Sequence, residues 1–188
     1  MSNFEKVCEF NTLFGHPVNH SLTPPDRKHA VLGLRLIAEE LCELATSLGC
    51  DMAISCNDPL QPEGTKERSF REYSDDKESV LVRNSYEGWE PVETADAIAD
   101  LLYVVYWAAA VYGIPANMVF NEVHRSNMTK LFPPDSEHPK AHARNRADGK
   151  ILKGPNYEPP QIAKVLYQWE KQQTDGSGEA STAVWDAE

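Results

Sequence analysis

Residues 91–112 read PVETADAIADLLYVVYWAAAVY, and this stretch decides the fold. Pro91 suits the first position of a helix, and Gly113 supplies its end. Beyond Asp100 the stretch is apolar nearly all round, which is typical of a helix buried at the centre of a domain. The apolar run, residues 98–114, is shorter than the roughly 20 residues that span a bilayer. We therefore predict a central core helix and no membrane partner.

Further helices are predicted from apolar residues that recur every three or four positions. The predicted spans are residues 4–14, 23–48, 116–131 and 161–171. The second span begins with Thr23 as a hydroxyl cap, followed by two prolines and Asp26. Its apolar stripe consists of Leu34, Ile37, Leu41, Leu44 and Leu48. Together the spans predict an all-α fold.

One domain, residues 1–170, accounts for all of these helices. Residues 50–90 are charged and contain several Pro and Gly, and we interpret them as a long loop insertion. Within it, only residues 79–82 favour a short strand or a buried turn. The tail, residues 171–188, is poor in apolar side chains, which predicts disorder.

Charge and cysteine content indicate the setting of the protein. Its 18 Lys and Arg against 29 Asp and Glu give a net charge of −11, so a general basic surface for nucleic acid is absent. The four cysteines form no Cys-x-x-Cys pair, and Cys42 falls within a helical pattern as a small core residue. We expect reduced thiols and a cytoplasmic location, the host cytoplasm if the protein is phage-encoded.

Two groups of acids interrupt the apolar helices. Glu39, Glu40 and Glu43 lie within one helical turn, and only one arginine is close enough on that helix to offset them. Asp96 and Asp100 share a face of the central helix. A Glu-Glu-x-x-Glu string alone favours a solvated surface, but like charges held together cost stability unless a cation joins them. With both groups present, we favour a site for Mg²⁺, or Mn²⁺, which prefer carboxylate ligands.

Polar and positive side chains that could hold phosphate lie further along the chain. Asn127 and Lys130 are three residues apart on a predicted helix and could point the same way. Lys150 and Lys153 lie in a Gly-rich loop, where the backbone can approach a ligand closely. The alternative is that these lysines are ordinary surface charges.

Several strings resemble the all-α NTP pyrophosphohydrolase superfamily, which includes MazG, dimeric dUTPases and phosphoribosyl-ATP pyrophosphohydrolases. The strings are DAIADLLYVV (96–105), NEVHRSNMTKL (121–131) and GKILKGPNY (149–157), beside the first acidic group. They are most similar to the MazG-like, phage-type branch. The resemblance implies a four-helix-type bundle, built as a homodimer or homotetramer, and Mg²⁺-dependent hydrolysis between the α- and β-phosphates. The usual second-helix pattern is Glu-x-x-Asp, and here Ala97 stands at the Glu position.

The resemblance also implies roles for individual residues. The expected metal ligands are Glu40, Glu43, Asp96 and Asp100. The expected substrate contacts are Asn127, Lys130, Lys150 and Lys153 on phosphate, with His16 and Tyr157 on the base or ribose. A structural role for His16 or Tyr157 is the alternative. We hypothesise that Glu39 orients or deprotonates the attacking water and that Lys130 stabilises the leaving pyrophosphate.

The predicted reaction converts a (deoxy)nucleoside triphosphate and water into the monophosphate and pyrophosphate. By analogy, dGTP and dATP are the first candidate substrates. One alternative is a phosphoribosyl-ATP pyrophosphohydrolase-like enzyme. Another is a regulatory helical module that binds nucleotides with little turnover, which Ala97 would suit. A di-iron carboxylate bundle is disfavoured because the sequence contains no Glu-x-x-His motif.

Overall fold

The computed structural model describes residues 1–54, 80–84, 88–147 and 149–177. These residues form five α-helices and one two-stranded sheet. In chain order the elements are α1 (Asn3–Phe14), α2 (Arg27–Ser47), β1 (Cys50–Ile54), β2 (Val80–Asn84), α3 (Pro91–Tyr112), α4 (Ala116–Met128) and α5 (Ile162–Ser177). The predominance of helices confirms the predicted fold class.

The chain divides into two compact units. The terminal unit consists of Met1–His29 together with Tyr106–Glu188. The middle unit consists of Ala30–Val105. The two acidic groups belong to the middle unit, whereas the predicted phosphate-binding residues belong to the terminal unit.

Local signals define both ends of α1 in the terminal unit. The Ser2 hydroxyl accepts a hydrogen bond from Glu5 N, and the Glu5 carboxylate accepts one from Ser2 N at 2.6 Å. This reciprocal pair satisfies main-chain donors that the first helical turn leaves open. At the other end, Gly15 adopts a left-handed conformation with φ of 75°, which a glycine takes without steric cost.

The core of the terminal unit forms around the second half of α3. Its buried residues on α1 and α3 are Val7, Asn11, Trp107, Ala108, Ala110 and Val111. The segment before α2 is held to this helix by Asn19, which donates from its main chain to Ala110 O at 2.9 Å and from its side chain to Val111 O at 2.6 Å. Gly113 is required here because a Cβ would lie 1.8 Å from Ser21 O.

Helix α4 packs against α5. A polar network fixes the loop that precedes α5 to helix α4. Arg125 forms ion pairs with Glu122 at 2.8 Å and with Glu158 at 2.7 Å. The Ser126 hydroxyl donates to Glu158 O at 2.7 Å, and Thr129 Oγ1 accepts from Glu158 N at 2.9 Å. Much of the NEVHRSNMTKL string therefore acts in anchoring residue 158.

In the middle unit, the end of α2 is joined to the beginning of α3. Glu90 N donates to Ser47 O at 3.0 Å. The buried Thr94 hydroxyl donates to Ser47 Oγ at 3.0 Å, and the Ser47 hydroxyl in turn donates to Leu44 O at 2.9 Å. Strands β1 and β2 pair antiparallel, with Cys50 opposite Asn84.

The limits of two helices differ from the predictions. Helix α2 begins at Arg27, and Asp26 Oδ1 accepts a hydrogen bond from His29 N at 2.8 Å. Asp26 therefore caps this helix, and the prediction of Thr23 as the cap was wrong. Helix α5 continues to Ser177, so the first part of the predicted disordered tail is helical.

The predicted insertion contains more regular structure than expected. A short strand or a buried turn was predicted for residues 79–82, and residues 80–82 lie in strand β2, whereas β1 was not predicted. Residues 55–79 and 85–87 of the insertion lie outside the described residues, as do residues 178–188 of the predicted tail.

The helix faces of the middle unit are more exposed than predicted. On α3, the side chains of Ile98, Leu102 and Val105 are about half exposed, so the prediction of a fully buried central helix was wrong for its first half. Leu34 in the α2 stripe is 69% exposed. Cys42 is exposed and not a core residue. Each of these side chains was assigned to the core from helical spacing, which does not tell what covers a face.

Helix α3 also has the length and apolar composition of a membrane-spanning helix. This is weak evidence, because the core helix of a soluble protein meets the same criterion. One third of its apolar window is buried. The first half of the helix carries Glu93, Asp96 and Asp100, each of which is costly to place in hydrocarbon.

Candidate active site

The join between α2 and α3 creates a cavity lined by acids. Ser47 is anchored to Glu90 and Thr94, so the last turns of α2 lie beside the first turns of α3. A cavity of about 520 Å³ opens there. Its lining residues are Cys42, Glu43, Thr46, Ser47, Glu90, Glu93 and Asp96. Two of the four predicted metal ligands, Glu43 and Asp96, therefore share one cavity.

The other predicted acids converge on the same region through Glu40. We call Glu39, Glu40, Glu43, Asp96 and Asp100 the acidic cluster. The pKa of Glu40 is raised, first by its burial and then by the charges of the other four members. The charges of acids on both α2 and α3 therefore act on Glu40.

One oxygen of the acidic cluster is left without a protein partner. Glu40 Oε2 is buried and has no hydrogen-bond partner among the described residues. A buried carboxylate oxygen in that state is costly unless a cation or a donor reaches it. The donor set consists of carboxylates alone, which is the ligand type that Mg²⁺ and Mn²⁺ prefer. The residues therefore fit a hard divalent cation.

Ala97 lies between the two aspartates and is almost fully buried. A Glu at this position, as in the commoner Glu-x-x-Asp pattern, would place its carboxylate on a different side of the helix from Asp96. The methyl group instead fills a packed position. The two predicted metal ligands of α3, Asp96 and Asp100, lie four residues apart on one face.

In the terminal unit, the structure brings Lys130, Lys153 and Tyr157 into one neighbourhood. Gly154 N donates to Lys130 O at 2.9 Å, and Tyr157 N donates to Gly154 O at 3.1 Å. The approach depends on Gly154, because a Cβ there would lie 2.6 Å from Leu131 O. The second glycine of the GKILKGPNY string, Gly154, therefore allows its loop to approach the end of α4.

Some side chains of this neighbourhood are exposed and others are half-buried. Lys153 Nζ lies 4.3 Å from the centre of the Tyr157 ring, a cation–π contact at an exposed lysine. Lys130 is half-buried and Asn127 is exposed, and Lys130 N donates to Asn127 O at 3.1 Å. Lys150 lies in the turn before this loop, where its carbonyl accepts from Arg146 N at 2.8 Å.

His16 has a different environment from the other predicted substrate residues. Its ring meets Trp107 edge-on, with the ring centres 5.7 Å apart, and its main chain donates to Asn11 O at 2.8 Å. It also lines a surface cavity of about 590 Å³ with Cys8, Glu9, Thr12, Gly15, Pro17, Val18 and His20. Anchoring against Trp107 accounts for the half-buried ring, and the cavity leaves one side open to a ligand.

The family model of phosphoribosyl-ATP pyrophosphohydrolases matches residues 7–127, more than half of the chain. The chain belongs to the phosphoribosyl-ATP pyrophosphohydrolase family. This family is part of the all-α NTP pyrophosphohydrolase superfamily, so the predicted superfamily is confirmed. Membership implies a nucleotide pyrophosphohydrolase, a hydrolase of phosphoric anhydrides. Members are typically metal-dependent, which agrees with the donor set of the acidic cluster.

The family match covers only part of the predicted site. All five acids, His16 and Asn127 lie within residues 7–127, whereas the three lysines and Tyr157 lie beyond them. No curated protein matches the chain. The substrate-binding roles of the three lysines and Tyr157 therefore rest on their chemistry and geometry alone, because the family match does not reach them.

Sequence reasoning missed two features of the described residues. Glu90 lines the acidic cavity, as does Glu93, which lies one turn before Asp96 but was not among the predicted metal ligands. The second feature is a group formed by Asp135, His138 and His142, whose ligand atoms lie within 4.8 Å of one another. Its signal was the Asp-x-x-His-x-x-x-His spacing.

Proposed function

We propose that the protein is a Mg²⁺-dependent nucleoside triphosphate pyrophosphohydrolase that releases a (deoxy)nucleoside monophosphate and pyrophosphate. The observation that carries this proposal is the acidic cluster, with its buried and unpartnered Glu40 oxygen. Five carboxylates held together without a lysine or arginine among the lining residues of the cavity suit a cation-bridged polyphosphate.

The residues of the acidic cluster divide into ligands and a base. Glu40, Glu43, Asp96 and Asp100 would hold Mg²⁺, or Mn²⁺, which supplies positive charge to the phosphate oxygens when bound. Glu39 is exposed and lies next to Glu40 in the chain. We assign it to orienting the attacking water and accepting its proton.

The residues that we assign to phosphate all belong to the terminal unit. Lys130 and Lys153 are joined through the Gly154 contact, and both would stabilise negative charge on the leaving pyrophosphate. Asn127 and Lys150 would add contacts to phosphate, and Tyr157 and His16 would contact the base or ribose. Substituting Lys153→Ala should raise KM for the triphosphate about tenfold, a loss of one charged contact. Lys140→Ala, at an exposed lysine of the same loop region, is the control and should leave KM unchanged.

Two substrate classes compete at this site. Purine deoxynucleoside triphosphates, dGTP and dATP, are our first candidates, and phosphoribosyl-ATP is the second because it names the matching family. Pyrophosphate release should be measured for all common NTPs, all dNTPs and phosphoribosyl-ATP, with Mg²⁺, with Mn²⁺ and with a chelator. Turnover of phosphoribosyl-ATP alone would overturn the first candidate. Nucleotide binding without pyrophosphate release on any substrate would instead support a regulatory module.

The exposed apolar faces of the middle unit suggest a homodimer or homotetramer. Ile98, Leu102 and Val105 recur at helical spacing on α3, on roughly the opposite side from Asp96 and Asp100. We propose that a second copy covers this face, leaving the carboxylates available to the substrate. A lipid surface is disfavoured because the same helix carries acids that cost about 2.5–3.5 kcal/mol each at a bilayer centre.

Light scattering on the purified chain tests this assembly. The measured mass should be that of a dimer or tetramer without detergent, and Leu102→Glu should shift the mass toward that of the monomer. Lys171→Glu, an exposed substitution on α5, is the control and should leave the mass unchanged. A monomeric wild-type chain that requires detergent would contradict both the assembly and the cytoplasmic location that we propose.

A further inference from the structure

The loop between α4 and α5 holds a second group of ligand-type side chains, which we call the Asp-His-His cluster. It consists of Asp135, His138 and His142 in the terminal unit. Asp135 Oδ1 lies 3.0 Å from His138 Nδ1, and Asp135 Oδ2 lies 3.6 Å from His142 Nε2. The two imidazole rings stack with their centres 4.1 Å apart. One carboxylate and two imidazoles form a donor set suited to Zn²⁺.

Main-chain hydrogen bonds hold these three side chains in place. Asp135 Oδ1 accepts from His138 N at 2.8 Å and from Glu137 N at 3.0 Å, which closes a tight turn. His142 pairs through its main chain with Phe132, with hydrogen bonds of 2.9 and 3.1 Å. The ligand atoms therefore come from two short backbone segments, the turn from Asp135 to His138 and the bridge at His142. Each segment is fixed by its own hydrogen bonds, which lowers the entropic cost of binding an ion.

An arginine marks the position where a cation would be held. Arg144 donates to Asp135 Oδ2 at 2.8 Å and to His142 Nε2 at 3.2 Å. A nitrogen that accepts from a guanidinium carries a lone pair, so His142 Nε2 is in the form that ligates metals. Asp135 and His142 thus direct lone pairs at one cationic group. Arg144 is half exposed, and its guanidinium carbon lies 4.7 Å from the centre of the Phe132 ring.

The second nitrogen of His142 supports the same interpretation. Its Nδ1 is buried without a hydrogen-bond partner among the described residues, and the side chain is 13% exposed. Nε2 is thus the ring nitrogen of His142 that meets Arg144 and Asp135, and it is the nitrogen that an ion would take.

We propose that the Asp-His-His cluster is a Zn²⁺ site that stabilises the loop leading to Lys150 and Lys153. The ion would take Asp135, His138 and His142 as three ligands and water as the fourth, and would displace Arg144. His138 must then present an unprotonated Nδ1, with its proton on Nε2. Zn²⁺ would connect the turn at Asp135 with His142, which forms a β-bridge with Phe132. The next bridge along the chain, between Asn145 and Ile151, leads to Lys153.

A second Asp-x-x-His turn in the chain provides a matched control. Asp26 Oδ1 accepts from His29 N at 2.8 Å and lies 2.9 Å from His29 Nδ1, the same geometry as the Asp135 turn. Among the described residues, Asp26 and His29 belong to no group of three His, Cys, Asp or Glu side chains that could hold a metal ion. His29→Gln should therefore leave Zn²⁺ binding unchanged, whereas His138→Gln removes a ligand from an equivalent turn.

The test is calorimetric titration of ZnCl₂ into the full chain, with excess Mg²⁺ present to occupy the acidic cluster. Wild type and H29Q should bind one Zn²⁺ with equal affinity. H138Q and H142Q should bind at least about tenfold more weakly. R144Q should bind more tightly, because the competing cation is gone. Co²⁺ bound to wild type should give the visible absorption of a low-coordinate site, and H142Q should lose it.

Three results would overturn the proposal. They are an absence of Zn²⁺ binding by wild type, equal affinity of wild type with H138Q and H142Q, and weakened binding by R144Q. If H142Q does not fold, D135N serves in its place, because its amide can still accept the hydrogen bonds that close the turn. Retained affinity in D135N would likewise contradict the site.

Discussion

Two groups of carboxylates in this protein show opposite electrostatics. In the acidic cluster, Glu40 is half-buried, and its pKa is raised by burial and by the charges of four other acids. In the Asp-His-His cluster, hydrogen bonds from His138 N, from the His138 ring and from Glu137 N lower the pKa of Asp135 to about 2. Arg144 also pairs with Asp135 at 2.8 Å. Among the described residues, no positive charge offsets the rise in the Glu40 pKa, whereas the second group already contains a cationic partner.

The difference indicates how each group should respond to a cation. Adding a divalent ion to the acidic cluster relieves repulsion and satisfies Glu40 Oε2, so binding should be strongly coupled to stability. In the Asp-His-His cluster an ion must first displace Arg144, so binding there is a competition between two cations.

The largest expected effect comes from removing one ligand of the acidic cluster. Glu43→Gln and Asp100→Asn should each lower kcat/KM for pyrophosphate release by at least about a hundredfold, because a neutral amide binds Mg²⁺ poorly. Both substitutions relieve repulsion, so the fold should survive, as circular dichroism would show. The assay is steady-state pyrophosphate release on the best substrate of the nucleotide screen.

Glu137→Gln is the control for these two variants. Glu137 is exposed, and its contact in the Asp135 turn is made by its main-chain nitrogen. Its activity should equal that of wild type. Wild-type activity in Glu43→Gln or Asp100→Asn would contradict the assignment of the acidic cluster as the metal site.

The next effect is the response of thermal stability to Mg²⁺. An ion that binds only the folded chain at about 100 times its Kd adds roughly 2.7 kcal/mol, which raises Tm by about 5–10 °C for a chain of this size. Differential scanning fluorimetry with and without Mg²⁺ measures this shift. Asp100→Asn should lose most of it, whereas Asp135→Asn should keep it. A full shift in Asp100→Asn would place the ion outside the acidic cluster.

The acidic cluster could be predicted from the sequence because helical periodicity states which acids share a turn. Glu39, Glu40 and Glu43 required only the 3.6-residue repeat, and Asp96 and Asp100 the same repeat on α3. The approach of the two helices to each other does not follow from this repeat. In the structure it depends on the Ser47–Thr94 contact, which no periodicity reveals.

The fold was predicted less well where burial depends on distant residues. Helix existence followed from local spacing, but Leu34 and Leu102 were expected in a core and are exposed in the single chain. The cap of α2 was misplaced because both Thr23 and Asp26 suit that position, and only the His29 hydrogen bond decides between them. The Asp-His-His cluster was missed because its ligands lie in a loop without a regular repeat.

A smaller effect should follow from neutralising the acid at the centre of the acidic cluster. The folded chain holds the Glu40 proton at pH values where the unfolded chain has lost it, because the folded pKa is raised. Metal-free wild type should therefore lose stability as pH rises from the ordinary glutamate pKa through the folded pKa. Glu40→Gln removes this penalty and should raise the metal-free Tm at neutral pH by about 2–4 °C.

The control for Glu40→Gln is Glu137→Gln, which should not change the metal-free Tm. The two variants are compared with wild type in EDTA across the acid to neutral range. Glu40→Gln should also respond less to Mg²⁺ than wild type. A lower Tm for Glu40→Gln than for wild type throughout this range would show that the Glu40 carboxylate is stabilised and not repelled.

The smallest effect is expected from Asp135→Asn, and its sign is the reverse. The folded pKa of Asp135 is lowered to about 2 from 3.8, so its charged form stabilises the folded chain above the ordinary pKa. That contribution is lost as pH falls from about 4 to about 2. In EDTA, Asp135→Asn should lower Tm at neutral pH by no more than about 2 °C, because the carboxylate is exposed and its ion pair is weak. The Tm difference from wild type should vanish near pH 2, and a difference that persists there would mean that Asp135 acts through shape and not through charge.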